Sequence, residues 1–131
     1  MASILKVDSM QGVTSAGDIT ITSEGGAATQ SLQQGVAKCW VVGTDAAGIT
    51  DSLNVSSGTD NGLGNYSYSY GNNMNNSTWC FSGASEVVAR MLTLDASSVA
   101  KDANSFDVRL YIHNGNEDDR SHGGTIHGDL A

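Results

Sequence analysis

The chain has 131 residues, including 16 Gly and no Pro, and a formal charge of −8. That length suits one buried core plus a short extra segment. The acidic balance argues against a phosphate backbone as partner, and no apolar run reaches the length of a membrane span, so neither nucleic acid nor membrane insertion is expected.

In chain order, residues 3–10 read as a first strand, with Leu5 and Val7 on one face and Ile4, Lys6 and Asp8 on the other. Gly12 and residues 15–17 are turn material. Residues 18–23 form a cleaner strand, in which Ile19 and Ile21 alternate with Thr20 and Thr22. Two short strands cannot build a core alone, so they must pack on the rest of the chain or on copies of themselves. Glu24-Gly25-Gly26 breaks the pattern. Residues 27–36 form the one plausible helix, marginal at this length, with an extended connector as the alternative. Residues 1–35 therefore read as an N-terminal attachment or oligomerisation arm. Its candidate docking side chains are Ile4, Leu5, Val7, Ile19, Ile21 and Leu32, with Val36 extending the apolar surface.

Residues 36–131 are regular. An apolar strand at 37–42 leads through a hairpin loop at 44–48 into a strand at 49–56, where Leu53 and Val55 alternate with Asn54 and Ser56. Asp60-Asn61-Gly62 is a turn signal, because Asn tolerates and Gly prefers positive φ. Tyr66, Tyr68 and Tyr70 then stand two apart, which places three rings on one strand face. Further strands are expected at 77–82, 85–94, 105–113 and 125–130. In 85–94, Val88, Arg90, Leu92 and Leu94 share a face. In 106–112, Phe106, Val108, Leu110 and Ile112 face inward and Asp107, Arg109 and Tyr111 outward. About seven strands at this spacing predict an all-β fold, an antiparallel β-sandwich of jelly-roll-like type. The tyrosine stripe suits an interface or sugar contact, but β-propensity alone favours a structural role.

Cys39 and Cys80 could join neighbouring strands or remain free thiols; the first residues lack a signal-peptide layout, and a reducing cytosol favours free thiols. His113, His122 and His127 match no zinc template. Asn116-Glu117-Asp118-Asp119 lacks the EF-hand spacing and reads as a solvated hairpin tip. The glycine pairs lack a Walker lysine, and no Gly-x-Ser-x-Gly is present. Glu86 and Asp107 are the only carboxylates singled out for glycoside hydrolysis. No metal, cofactor or enzymatic activity is expected.

Several stretches carry a resemblance: residues 53–70 with Met74 and Cys80-Phe81-Ser82-Gly83, residues 23–35 followed by Lys38-Cys39-Trp40, and the closing Gly128-Asp129-Leu130-Ala131. Together they resemble a module of bacteriophage tail-fibre-type proteins, especially of phages of marine bacteria and cyanobacteria. The resemblance implies a virion structural protein, a short tail-fibre or appendage subunit engaged in host-surface recognition or attachment. It implies a homotrimer assembled in the host cytoplasm. Its partners would be other virion proteins of tail or capsid and a host surface polysaccharide or protein. Tail fibres usually carry longer adaptor and shaft regions, so capsid decoration as a head fibre or cement protein is the alternative, and a polysaccharide-active enzyme is the third. Exposed loops would meet the host, with Asn72, Asn73, Asn75, Asn116 and Asp118 as candidates.

Overall fold

Short runs of alternating side chains, punctuated by residues with positive φ, make strands and little else. The computed structural model describes residues 4–15, 19–23, 25–95 and 101–131. The first strands are β1 (Thr20–Thr22) and β2 (Thr29–Ser31), followed by one helical turn, α1 (Leu32–Gly35). Then come β3 (Cys39–Gly43), β4 (Ile49–Leu53), β5 (Val55–Gly62), β6 (Asn65–Tyr70), β7 (Cys80–Ser85), β8 (Arg90–Leu94), β9 (Ser105–Ile112) and β10 (His122–His127). The chain divides into two compact units, Met1–Val36 and Ala37–Ala131.

In the first unit β1 pairs antiparallel with β2, Ile21 opposite Gln30. The connection closes where the Ser23 amide donates to the Ala28 carbonyl, with Gly26 at positive φ. The Ser31 hydroxyl caps α1 by accepting from the Gln34 amide. The longer helix expected over 27–36 is thus a single turn, because Thr29–Ser31 is taken by strand pairing. The first strand expected at 3–10 is also corrected: residues 4–10 carry no strand, since alternation without a partner satisfies no backbone group. Ser3, Asp18, Glu24 and most of the turn at 15–17 lie outside the described residues.

The second unit is an all-β sandwich of two antiparallel four-stranded sheets, ordered β4-β3-β10-β7 and β5-β6-β9-β8. Between them lie Tyr66, Tyr68 and Tyr70 from β6, Phe106, Val108 and Leu110 from β9, Leu92 from β8, Cys39 and Val41 from β3, and Ile126 from β10. Tyr66 stands opposite Val108 and Tyr68 opposite Phe106, so inward-facing side chains pair across the strands. Asp107 and Arg109 turn outward between the buried Phe106, Val108 and Leu110, as the alternation predicts; Ile112, at the strand end, is only partly buried.

The strand expected over 77–82 is β7 at Cys80–Ser85, and the one expected over 125–130 is β10 at His122–His127; three further differences each lie at an identifiable residue. The strand expected over 49–56 breaks at Asn54, whose φ of 59° turns the chain from one sheet to the other. The Asn54 side chain holds this corner: Oδ1 accepts from the Asn72 amide at 2.5 Å and Nδ2 donates to the Asn72 carbonyl at 2.9 Å. Asp60-Asn61-Gly62 stays within β5 as a bulge, and the chain turns instead at residues 63–64, with Gly64 at φ +65°. The single strand expected over 85–94 is two, separated by a turn at 86–89 in which Ala89 has φ 60°. Val88 is therefore 86% exposed and does not share the Leu92 face.

Leu110→Ala should lower the unfolding free energy by ~2–5 kcal/mol, as buried large-to-small changes do. Val88→Ala should cost less than ~0.5 kcal/mol, as surface changes do. Urea denaturation of both variants checks this, and equal losses would restore one continuous strand over 85–94.

Candidate functional site

The most chemically suggestive cluster lies in the core, where β6 of one sheet faces β10 of the other. The Tyr68 hydroxyl is 2.8 Å from His122 Nε2. His122 Nδ1 is 2.8 Å from the Arg120 carbonyl, which can only accept, so Nδ1 carries the proton. Nε2 then accepts from Tyr68. The Tyr66 ring stacks on the imidazole with centroids 4.4 Å apart. Its hydroxyl donates to Asp119 Oδ1 at 3.0 Å, an oxygen that also accepts the Gly64 amide at 2.6 Å. Gly43 gives the space: a Cβ there would stand 2.1 Å from the Tyr68 hydroxyl and 3.0 Å from His122 Nε2.

Tyr66, Tyr68 and His122 have no exposed surface. Burial lowers the His122 pKa from its ordinary 6.5, against opposing effects of the Arg120 carbonyl and Glu86. Burial pushes the Tyr68 hydroxyl up to about 12, and burial with the Asp119 bond raises that of Tyr66. Histidine, tyrosine and aspartate are the parts of an acid–base relay, yet Asp119 bonds Tyr66 and not the imidazole, and substrate has no surface of His122 to meet. The arrangement is a clamp between sheets. His122, Asp119 and Gly43 were not singled out for it by sequence reasoning. The available signal was the period-two phase of His122, Gly124 and Ile126, hidden when the last strand is read as 125–130.

The acidic loop is corrected from a solvated tip to a bonded flap. Glu117 pairs with Arg109, and Asp118 with Arg90 at 2.6 Å and Arg120 at 3.5 Å. Arg109 also reaches the buried Asp95 at 2.9 Å. Arginines on β8 and β9 draw the loop onto the sandwich. Asp118, expected as a recognition residue, is thus partly buried and occupied, whereas Asn116 is exposed beyond the Gly115 turn.

Asn72, Asn73 and Asn75 are exposed on a loop whose backbone is tied down: the Asn73 carbonyl accepts from the Ala131 amide, and the Asn75 amide donates to Asp129. This loop adjoins the start of β9 through the Tyr70 amide bond to Asn104, whereas Asn116 follows its end. Eight strand residues at ~3.3 Å each separate the two candidate loops by about 25 Å, so they form no single site. On the arm, Ile4 and Leu5 are nearly four-fifths exposed and Val7, Ile21 and Val36 about half, while Ile19 and Leu32 are partly buried. Glu86 sits in the 86–89 turn and Asp107 on the outer side of β9. His113 is exposed and His127 partly buried, and among the described residues no group of three or more His, Cys, Asp or Glu could hold a metal. Cys39 and Cys80 are both free; Cys39 is buried, with its thiol pushed up to about 12 by desolvation, and Cys80 is exposed. Among the described residues no helix is long and apolar enough to cross a membrane.

No protein-family model, curated protein or solved structure matches the chain.

The clamp has a pH signature. The His122 pKa is lower folded than unfolded, so its contribution is fully present above pH 6.5 and is lost as pH falls from there toward the folded value. Urea midpoints across pH 4–8 should fall on the acid side, and His122→Gln should flatten the part of the slope just below pH 6.5. An unchanged slope in that variant would remove His122 as the titrating group.

Proposed function

We propose that this protein is a structural subunit of a bacteriophage virion, a short fibre or appendage whose sandwich is presented outward and whose arm joins neighbouring copies. The observation that carries the reading is the arm. Ile4, Leu5, Val7, Ile21 and Val36 are exposed on a unit whose hydrogen-bonded structure, among the described residues, is a three-residue strand pair and one helical turn. Burying each such side chain is worth ~1.5–3 kcal/mol, and a lone hairpin has no second layer to bury them against. Three copies about an axis supply that layer, and cyclic closure leaves no open, fibre-forming contact.

The sandwich supports a scaffold role by the way its reactive groups are used. Tyr66 bonds Asp119, Tyr68 bonds His122, and the flap carboxylates bond arginines. The resemblance carried by residues 23–35 with 38–40, by 53–70 with Met74 and 80–83, and by 128–131 points to an appendage at the host-facing surface of the particle.

Light scattering of the full-length protein should give the mass of a trimer, and deletion of residues 1–36 should give a monomer. A monomeric full-length chain removes the trimer. Antibody against residues 37–131 should decorate purified virions in electron micrographs, with the position of label separating tail from capsid. Unlabelled particles would sink the virion assignment.

A further inference from the structure

The two sheets present unlike outer faces. That of β5-β6-β9-β8 combines ion pairs, with Arg109 held between Asp95 and Glu117, and an apolar end where Met91 stands opposite Tyr111. That of β4-β3-β10-β7 has an aromatic centre. Strand register sets Leu53, Trp40, Thr125 and Ser82 in one row across four strands, and Asp51, Val42 and Gly123 in the next. Cys39 and Val41 point into the core, so Trp40 and Val42 between and beside them point outward. Leu53, Asp51 and Ser82 are exposed, and Trp40 and Thr125 partly so. The other tryptophan, Trp79, is buried and gives its indole N–H to the Asp102 carbonyl at 3.0 Å.

We propose that this outer face is a binding site for a neutral glycan, with a pyranose ring stacked on Trp40 and its hydroxyls met by Thr125, Ser82 and Asp51. A pyranose has an apolar C–H face and a polar rim. An indole between Leu53 and Thr125, with Asp51 on the diagonal and Ser82 one strand beyond Thr125, is the complementary surface. Thr125 is pre-oriented, because its hydroxyl donates to the Cys39 carbonyl at 3.3 Å and so turns oxygen lone pairs elsewhere. Gly123 adds no side chain beside Val42, which leaves the face low for a ring to lie flat.

Size decides between a sugar and a protein. Four strands ~4.8 Å apart and two same-face rows ~6.8 Å apart make this patch about 14 Å by 7 Å between its outermost Cα positions, on the order of 100 Å². That is about an eighth of the ~800 Å² that each partner contributes to a stable protein interface, so a second copy cannot be held by this face alone. It matches one or two sugar rings. Charge decides the kind of sugar: Asp51 on the face and −8 on the chain repel uronates and sulfates.

The inference deepens the host-surface reading by giving it a ligand class. The test is tryptophan fluorescence of the full-length protein titrated with four-to-six-unit oligosaccharides of mannan, dextran and galactan, with alginate oligosaccharides as the acidic arm. Saturable change in emission is expected with at least one neutral probe. Trp40→Ala, with circular dichroism confirming its fold, should abolish binding measured by calorimetry, and Thr125→Val should weaken it by about tenfold, as loss of a hydrogen bond does. Flat titrations with every neutral probe, binding that survives Trp40→Ala, or binding of alginate alone would overturn the proposal. Flat titrations with labelled virions would sink the glycan face and leave the fibre reading; saturable binding with unlabelled virions would do the reverse.

Discussion

The hydrogen bond between Tyr68 and His122 joins the two sheets through the middle of the core, and much of the sandwich is arranged around it. A buried phenol and imidazole each cost free energy unless satisfied, and here each satisfies the other while the Arg120 carbonyl accepts from the ring's Nδ1–H. The bond sets how far apart β6 and β10 stand and which residues face one another. It demands glycine at position 43, where any Cβ would collide with the hydroxyl. Tyr66, stacked on the same imidazole, passes the constraint to Asp119, and Asp119 fixes the turn at Gly64. The flap that carries Asp119 brings Glu117 and Asp118 onto Arg109 and Arg90. A polar contact in the core thus determines how an outer loop lies.

Much of this was legible in the chain. Residues 106–110 read correctly because their period is two with one dry face, and the tyrosine stripe took the structural role that its propensity favours. The hairpin loop at 44–48 also lies where expected, its Thr44 side chain accepting from the Ala46 and Gly48 amides. What was illegible turns on single residues with positive φ. Asn54 and Ala89 interrupt strands without disturbing the apolar pattern, so Leu53 and Val55 look like neighbours on one strand although a sheet change lies between them. The turn after β5 fell two residues late because Gly64 is held from outside its hairpin, by Asp119 and by the Leu110 amide. The acidic flap was misread because two of its arginine partners, Arg109 and Arg90, stand 8 and 28 residues away, where local composition carries no trace of the pairing.

The outer surfaces follow from where charge is spent. The arginines of β8 and β9 consume carboxylates from the flap and from Asp95 on one sheet. The opposite sheet keeps a tryptophan between Leu53 and Thr125, with Val42 and Asp51 in the next row. The exposed asparagines lie on a loop whose backbone is anchored by the C-terminal residues, so their side chains are presented on a tied frame.

The two cysteines differ in a way that bears on oxidative chemistry. Cys39 has no exposed surface, and its thiol stays protonated far above neutral pH, so it supplies no thiolate to an oxidant. Cys80 is exposed on β7, at the edge of its sheet. Each folded chain therefore has a covalent valence of one. Air oxidation can join chains in pairs but cannot propagate a network, so any larger covalent oligomer would report that the sandwich had opened.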